Sequence, residues 1–454
     1  MVDLSAPSIF KAYDIRGLVE SEITPDFAFG AGLAFARFLE QEREPGTMVI
    51  GEDMRPSSSS LAEAFSAGAI SNGMDVIRIG LASTDMLYFA SGKLNLPGVM
   101  ITASHNPAEY NGIKLCKSGA RPVGKETGLQ TIERYVADGN PIIMRSIGVE
   151  SQRNMVDEYV SHLLTLVDVS DIRPLKIVID AGNAMAGYTA PPVFERINVE
   201  VIELYFELDG TFPNHEANPI DAANLKDLQK AVRKHKADIG LAFDGDADRC
   251  FLVDENGETV NPSALTALIA VRELAKHPKA GIIYNLISSR AVAEVVEENG
   301  GTAIRSRVGH SYIKKLMAET GAAFGGEHSG HFYFRDFWCA DSGMLAALHA
   351  IAALGSQKSS LSKILKPYQR YFASDEINST VTNPQKILAR LEETFGQQDR
   401  VTIDHLDGLT VNAEAWWFNV RSSNTEPLLR LNVEAKTQAR LDRVKDEVLA
   451  VIRS

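Results

Sequence analysis

Thr102-Ala103-Ser104-His105-Asn106-Pro107 places a serine hydroxyl directly after an apolar run, Gly98-Val99-Met100-Ile101. Open α/β sheets carry their chemistry at the carboxyl ends of strands. Asn-Pro closes the segment as a turn, because the residue before proline leaves the helical region. A serine held there can be a nucleophile or a phosphoryl carrier; it can also belong to a Ser/His/Asn-rich loop that satisfies its own backbone. Two other segments follow apolar runs in the same way. Asp244-Gly245-Asp246-Ala247-Asp248-Arg249 comes after Asp238 to Phe243. In extended chain its alternating carboxylates share one side, and Gly245 relaxes the backbone so that they converge. Three oxygen donors suit a hard divalent cation such as Mg²⁺, with positions left for water or phosphate. Without one, the carboxylates repel each other. An EF-hand is excluded, because Asn256 and Glu258 do not fall where that loop needs its distal glutamate; an acidic surface turn stays open. Arg249 either steadies phosphoryl oxygens or partners one of the aspartates. Gly325-Gly326-Glu327-His328-Ser329-Gly330-His331 comes after Ala322-Ala323-Phe324. Glu327 and Ser329 can hydrogen-bond vicinal sugar hydroxyls, and His331 can move a proton near neutral pH.

Basic groups cluster elsewhere. Arg421-Ser422-Ser423-Asn424-Thr425-Glu426-Pro427, with Arg430 beyond, can wrap a phosphate without a P-loop; it can equally be a capped turn. Trp416 and Trp417 upstream read as packing residues. Lys11-Ala12-Tyr13-Asp14-Ile15-Arg16-Gly17 brings Tyr13 and Arg16 to a glycine-ended turn. Asn111-Gly112, after the Ser104 loop, is a turn signal, and Lys114 just beyond it can point back into a cleft. Of Arg307, His310 and Lys314, His310 beside Gly309 suits a site, whereas Lys314 reads as solvated helix.

These loops need a scaffold, and one pattern recurs three times. Met48 to Ile50, a helix over Ser58 to Ser71, Asp75 to Ile79 and Gly98 to Ile101 form the first copy. Lys176 to Ile179, a short helix near Pro191 to Ile197, Val199 to Ile202 and Asp238 to Phe243 form the second. Gly281 to Tyr284, a helix over Ala291 to Glu298, Thr302 to Ile304 and Ala322 to Phe324 form the third. Short β-rich runs alternating with helical ones indicate βαβ units, and the similar offsets indicate repeated domains. Each copy ends in one of the three loops, which suggests a shared cleft. Beyond Lys366 a strand-like Tyr371 to Thr382, a helix over Pro384 to Thr394, strands near 409–411, 416–420 and 428–433, and a closing helix over 439–452 suggest a separate α+β domain.

The chain has 454 residues, 45% hydrophobic and 23% charged. That length points to roughly three domains of ordinary globular composition. A net charge of −13 argues against a nucleic-acid surface and asks any anionic substrate for a local basic cleft. No apolar run nears membrane-spanning length, the richest being Gly343 to Leu354, and Met1-Val2-Asp3-Leu4-Ser5 lacks a signal-peptide pattern. Cys116, Cys250 and Cys339 form neither a disulfide framework nor a zinc pattern, which fits the cytoplasm.

The ordered set Lys11–Gly17, Thr102–Pro107, Asp244–Arg249, Gly326–His331 and Arg421–Pro427 resembles the α-D-phosphohexomutase superfamily, and most of all its bacterial phosphomannomutases. It spans almost the whole chain. The resemblance implies a heart-shaped, four-domain architecture: three similar mixed α/β domains and a C-terminal α+β domain around a central cleft. The expected domains are 1–150 with the phosphoserine loop, 151–255 with the metal loop, 256–368 with the sugar loop and 369–454 with the phosphate-binding loop. It implies that Ser104 is phosphorylated at rest and that Asp244, Asp246 and Asp248 hold one Mg²⁺, which also touches the phosphoserine. Glu327 and Ser329 would read sugar hydroxyls. Arg421, Ser423, Asn424, Thr425 and Arg430 would grip the non-reacting phosphate. Tyr13, Arg16, Lys114, Arg249, His310 and His331 would line the reacting side, with Lys114 or His331 carrying the proton.

The implied reaction interconverts mannose 6-phosphate and mannose 1-phosphate. Phosphoserine 104 donates its phosphoryl group, a hexose 1,6-bisphosphate turns over in the cleft, and its other phosphoryl group returns to the serine. Phosphoglucomutase or dual specificity is the runner-up; a sugar-phosphate phosphatase and a catalytically silent sugar-phosphate sensor are rival readings. Hexose phosphates would be the only partners, with no nucleic acid or membrane, in a monomer or dimer. One departure stands out: Ile287 lies where many relatives carry lysine, so that charge is missing or moved to Arg290, with the Ser288 and Ser289 hydroxyls as partial substitutes.

Overall fold

Parallel strands with helices between them build most of the molecule. A computed structural model describes residues 9–139, 146–422 and 428–454. They form two compact units, Met1–Pro262 with Ser329–Ile364 and Ser263–His328 with Leu365–Ser454.

All three copies share one strand order, with the third strand beside the first and the second outside it. In the first unit, Gly98–Ile101 and Asp75–Leu81 flank Thr47–Glu52, all parallel. Ile239–Phe243 and Val199–Leu204 flank Leu175–Asp180 in the same way. In the second unit Phe324–Gly326 and Thr302–Ser306 flank Gly281–Asn285. Parallel strands covered on both faces read as continuous apolar runs, and Val99, Met100, Ile101, Ile239 and Leu241 are fully buried. Antiparallel strands Tyr110–Lys117 and Cys250–Val253 return beside the third strand of the first and second copies. The chain between a third strand and its return is therefore a tight loop at the sheet's carboxyl end.

The second unit also contains an antiparallel sheet centred on Leu428–Ala435 and Trp416–Ser422. Trp416, Phe418 and Val420 alternate onto one face and pack with Pro384–Phe395 and Gln438–Ile452. The strand period of two then sends Trp417, Asn419 and Arg421 to the other face, where they too are buried. Trp417 Nε1 donates to Glu434 at 2.7 Å, and Asn419 donates to Thr410 Oγ1 at 3.0 Å. That face is thus a polar one.

Four expectations need correction. The second copy's helix is Ala186–Phe194 rather than a stretch near Pro191 to Ile197; Pro191 and Pro192 lie late in it. The strand expected over Tyr371 to Thr382 is two pieces, Phe372–Ala373 and Ile377–Thr380, both paired with Leu428–Ala435. Between them Ser374 exchanges hydrogen bonds with Val433 through its backbone N–H and its Oγ. Gly17 lies inside a strand, Ile15–Leu18, paired with Tyr110–Lys117, rather than ending a turn. Lys314 is buried, not solvated, because helix His310–Thr320 packs its Ile313–Lys314–Met317 face inward.

Candidate active site

Within the first unit the serine and aspartate loops meet. Ser104 has φ +51°, a left-handed conformation unusual for a non-glycine residue. Its N–H donates to Thr102 Oγ1 at 2.9 Å, and its Oγ donates to Asp244 Oδ2 at 2.9 Å. The approach is close: a Cβ on Gly245 would lie 2.2 Å from the Ser104 carbonyl oxygen, so only glycine fits. Asp244, Asp246 and Asp248 converge as expected, each with a carboxylate oxygen within 4.8 Å of the others, and all are buried. They converge through a turn rather than through strand alternation. Ala247 takes φ +59° and its N–H donates to the Asp244 carbonyl at 3.0 Å.

Charge around this cluster is arranged unequally. Lys114 Nζ lies 2.5 Å from Asp246 and 2.6 Å from Asp248. Burial opposes its charge, yet the two carboxylates hold its pKa well above the usual lysine range. Burial, and then Asp248 and Asp246, push Asp244 well above the carboxylate range. Burial also acts on Asp248, but Lys114, His331 and Arg249 outweigh it and hold its pKa well below that range. Asp246 Oδ1 is buried and accepts no hydrogen bond. A buried carboxylate oxygen left bare is costly, and a divalent cation supplies what three crowded carboxylates lack. The residues present therefore fit a hard metal ion.

Arg249 bridges the remaining groups. Its N–H donates to Asp244 Oδ1 at 3.1 Å, and its Nε lies 3.2 Å from His331 Nε2. A terminal nitrogen donates to His105 Nδ1 at 2.8 Å, which fixes that nitrogen as an acceptor. Burial, with Arg249 and Arg16 nearby, pushes His105 well below its ordinary pKa, so the ring is neutral. Ser329 Oγ lies 2.9 Å from His331 Nδ1. Arg16 donates to Asn106 Oδ1 at 2.7 Å and pairs with Asp14, and Tyr13 beside it is half-buried. Among the first-unit candidates, Ser104, Lys114, Arg249, His331, Ser329 and Arg16 are thus linked by contacts to the serine and aspartate loops or to one another.

The second unit holds the other candidates. Glu327 is buried after Phe324–Gly326 and accepts from the Gly309 N–H at 3.0 Å and from Asn285 Nδ2 at 3.5 Å. His310 begins helix His310–Thr320. Ser288 donates to Asn285 Oδ1 at 2.7 Å, so its hydroxyl braces the Glu327 support, while Ser289 caps helix Arg290–Glu298. Arg290 does not replace a lysine at position 287: its guanidinium reaches Trp416 O at 3.2 Å and Asn412 Oδ1 at 3.4 Å. Ile287 is buried.

Arg421 and Arg430 stand directly opposite each other on paired strands. Like charges in that position repel. Glu376 pairs with Arg421 and lies 3.5 Å from Arg430, and Arg421 also donates to Asn432 Oδ1 at 2.9 Å. One carboxylate shared by two guanidiniums leaves donors for another anion. Ser423, Asn424 and Thr425 lie outside the described residues.

Sequence reasoning missed Arg55, Thr84 and Glu376. Arg55 follows strand Thr47–Glu52, so the strand-end rule that singled out Ser104 applies to it equally. Thr84 Oγ1 donates to Asp246 Oδ2 at 2.5 Å, a contact between distant segments that no local pattern encodes.

Sequence profiles of phosphoglucomutase/phosphomannomutase match the chain in order: alpha/beta/alpha domain I over residues 7–141, domain II over 157–257, domain III over 261–371 and the C-terminal domain over 376–451. The chain belongs to the phosphoglucomutase/phosphomannomutase family. It is 39% identical to the phosphomannomutase of Salmonella typhimurium across 98% of both chains. It is 41% identical to a Xanthomonas campestris protein named phosphohexose mutases, over 95% of this chain and 96% of that one. A crystal structure of a phosphoglucomutase/phosphomannomutase family protein from Burkholderia thailandensis superposes with a TM-score of 0.89 at 31% identity, covering 98% of this chain and 97% of that one. An N-acetylphosphoglucosamine mutase from Aspergillus fumigatus, solved with GlcNAc-6P and magnesium, shares the fold at 13% identity and a TM-score of 0.62, covering 98% and 95%. This phosphohexomutase therefore has three α/β/α domains and a C-terminal domain with an antiparallel sheet, and acts as an isomerase on sugar phosphates.

Proposed function

We propose that this phosphohexomutase interconverts mannose 6-phosphate and mannose 1-phosphate, with Ser104 as the phosphoryl carrier. The mannose assignment is carried by full-length identity of 39% to phosphomannomutases of Salmonella and Escherichia coli. Dual action on glucose phosphates is the second reading, favoured by the Xanthomonas relative's broader name.

In the first transfer the bond between phosphorus and Ser104 Oγ breaks as phosphorus bonds to the free hydroxyl oxygen of the hexose monophosphate. The hydroxyl proton passes to His331, because Lys114 is held protonated between Asp246 and Asp248. The bisphosphate turns around, and its other phosphoryl group returns to Ser104 Oγ while the proton is given back. Asp244, Asp246 and Asp248 are the residues suited to hold Mg²⁺, which when bound neutralises charge on the transferring group. Arg249 and Arg16 supply fixed positive charge beside Ser104, and Tyr13 and His310 are further candidates to act on the reacting phosphoryl group. Glu327 and Ser329 read sugar hydroxyls, and Arg421 and Arg430, with Ser423, Asn424 and Thr425, grip the phosphate at rest. A clip separate from the transfer site lets either end of the sugar be held while the other reacts. The three free thiols accord with a cytoplasmic setting.

A coupled assay comparing mannose 1-phosphate and glucose 1-phosphate on one preparation tests the specificity. A higher kcat/KM for the mannose compound is expected; preference for glucose would make the second reading the correct one.

A further inference from the structure

One buried guanidinium gathers the Ser104 loop. Arg55 donates through one terminal nitrogen to Ser104 O at 2.9 Å and Asn106 O at 2.7 Å. Its other terminal nitrogen donates to Pro107 O at 2.8 Å and Tyr110 O at 3.0 Å. Three carbonyls of the loop and that of Tyr110, where the return strand begins, thus converge on one side chain. Asp53 aligns it from behind: its carboxylate lies 3.3 Å from Arg55 Nε, and both side chains are fully buried. Asp53 is itself fixed by Ser58 Oγ at 2.5 Å and by the Arg55 N–H at 3.0 Å. The Phe212 ring covers the guanidinium, 5.0 Å from its carbon.

This arrangement answers a local problem. A left-handed non-glycine residue is disfavoured and persists only where its surroundings over-determine it. Ser104 is such a residue. Its carbonyl meets Arg55 on one side and the close approach of Gly245 on the other. The backbone orientation that sends Ser104 Oγ to Asp244 is therefore set by groups that do not touch the hydroxyl. Only arginine presents a planar fork able to bind four carbonyls at once; a lysine ammonium has three donors at a single point.

We propose that Arg55, aligned by Asp53, is a positioning residue that holds the Ser104 loop ready for phosphoryl transfer. The proposal rests on the reading of Ser104 as the carrier. It assigns Arg55 no contact with substrate.

The full-length protein and its Arg55→Lys and Asp53→Asn variants test it, by steady-state kinetics on mannose 1-phosphate, hydrogen exchange and intact mass. A displacement of about 1 Å at a reacting atom costs about 100-fold in rate. Arg55→Lys should therefore lower kcat about 100-fold with KM within about threefold, and Asp53→Asn should fall between it and the parent. Deuterium uptake should rise in peptides covering 102–110 and stay unchanged over 438–452. A kcat for Arg55→Lys within about threefold of the parent, unchanged exchange over 102–110, or exchange raised throughout the chain would overturn the proposal. Should Arg55→Lys not fold, Asp53→Asn is judged by the same criteria. Absence of phosphate from Ser104 in the parent's mass would instead refute the carrier reading, while the exchange result still decides whether Arg55 holds the loop.

Discussion

Ser104 is the residue on which the proposed chemistry turns, and its surroundings make its replacement informative. Its Oγ donates to Asp244 inside a fully buried contact, so Ser104→Ala removes one hydroxyl and leaves the aspartate cluster intact. We expect the variant's intact mass to carry no phosphate and its turnover to fall by about 10³-fold or more. Arg421 supports a different prediction. Its planar donors reach Asn432 and Glu376 together, and lysine cannot reproduce that geometry. Arg421→Lys should raise KM for the sugar phosphate about tenfold or more and lower kcat less, measured by steady-state kinetics. The strand-end position of Ser104 and the convergence of the three aspartates were legible in the sequence. Arg55 and Thr84 were not, because their roles lie in contacts with segments far along the chain. Lys114 was legible as a charge near the Ser104 loop; its pairing with Asp246 and Asp248 needed the fold.

At the scale of elements, the repeats were readable because buried parallel strands leave continuous apolar runs, as in Gly98–Ile101 and Ile239–Phe243. The start of helix Ala186–Phe194 and the break after strand Phe372–Ala373 were not legible, since local composition does not fix where an element begins or where a ladder is broken. Helix Thr84–Leu94 shows how an element grips the aspartate loop. Its first N–H and the Thr84 hydroxyl both donate to Asp246. The next residue, Asp85, is buried and accepts from Ser83 Oγ at 2.5 Å, Ser342 Oγ at 2.6 Å and Tyr159 OH at 2.7 Å. Burial raises its pKa to about 6. The folded protein thus holds this proton more tightly than the unfolded chain, so Asp85 contributes stability below the unfolded pKa that is lost as pH rises through about 6. The loss is about 3 kcal/mol for a shift of this size. Urea unfolding between about pH 4 and 6.5 should show a smaller pH-dependent decline for Asp85→Asn than for the parent; equal declines would count against the assignment.

For the whole molecule, a cation held by the buried aspartates would be tied to folding. Their mutual repulsion is offset in part by Lys114 and Arg249, and Asp246 Oδ1 accepts no hydrogen bond. A cation that binds only the folded chain stabilises it by mass action, by about 2.7 kcal/mol at a hundred times Kd. Tm should therefore rise with added Mg²⁺ and fall with EDTA, and Asp246→Asn should weaken that response. A Tm indifferent to Mg²⁺ would show that the cluster is balanced by its basic neighbours alone. The route of the phosphoryl group is the centre of the proposed mechanism, and a single turnover follows it directly. Protein labelled with radioactive phosphate on Ser104 is mixed with excess unlabelled mannose 6-phosphate, and the products are separated within one turnover. The label is expected first in mannose 1,6-bisphosphate and then in mannose 1-phosphate, the two together matching what leaves the serine. Label released as inorganic phosphate, or retained on the protein while mannose 1-phosphate forms, would contradict that route.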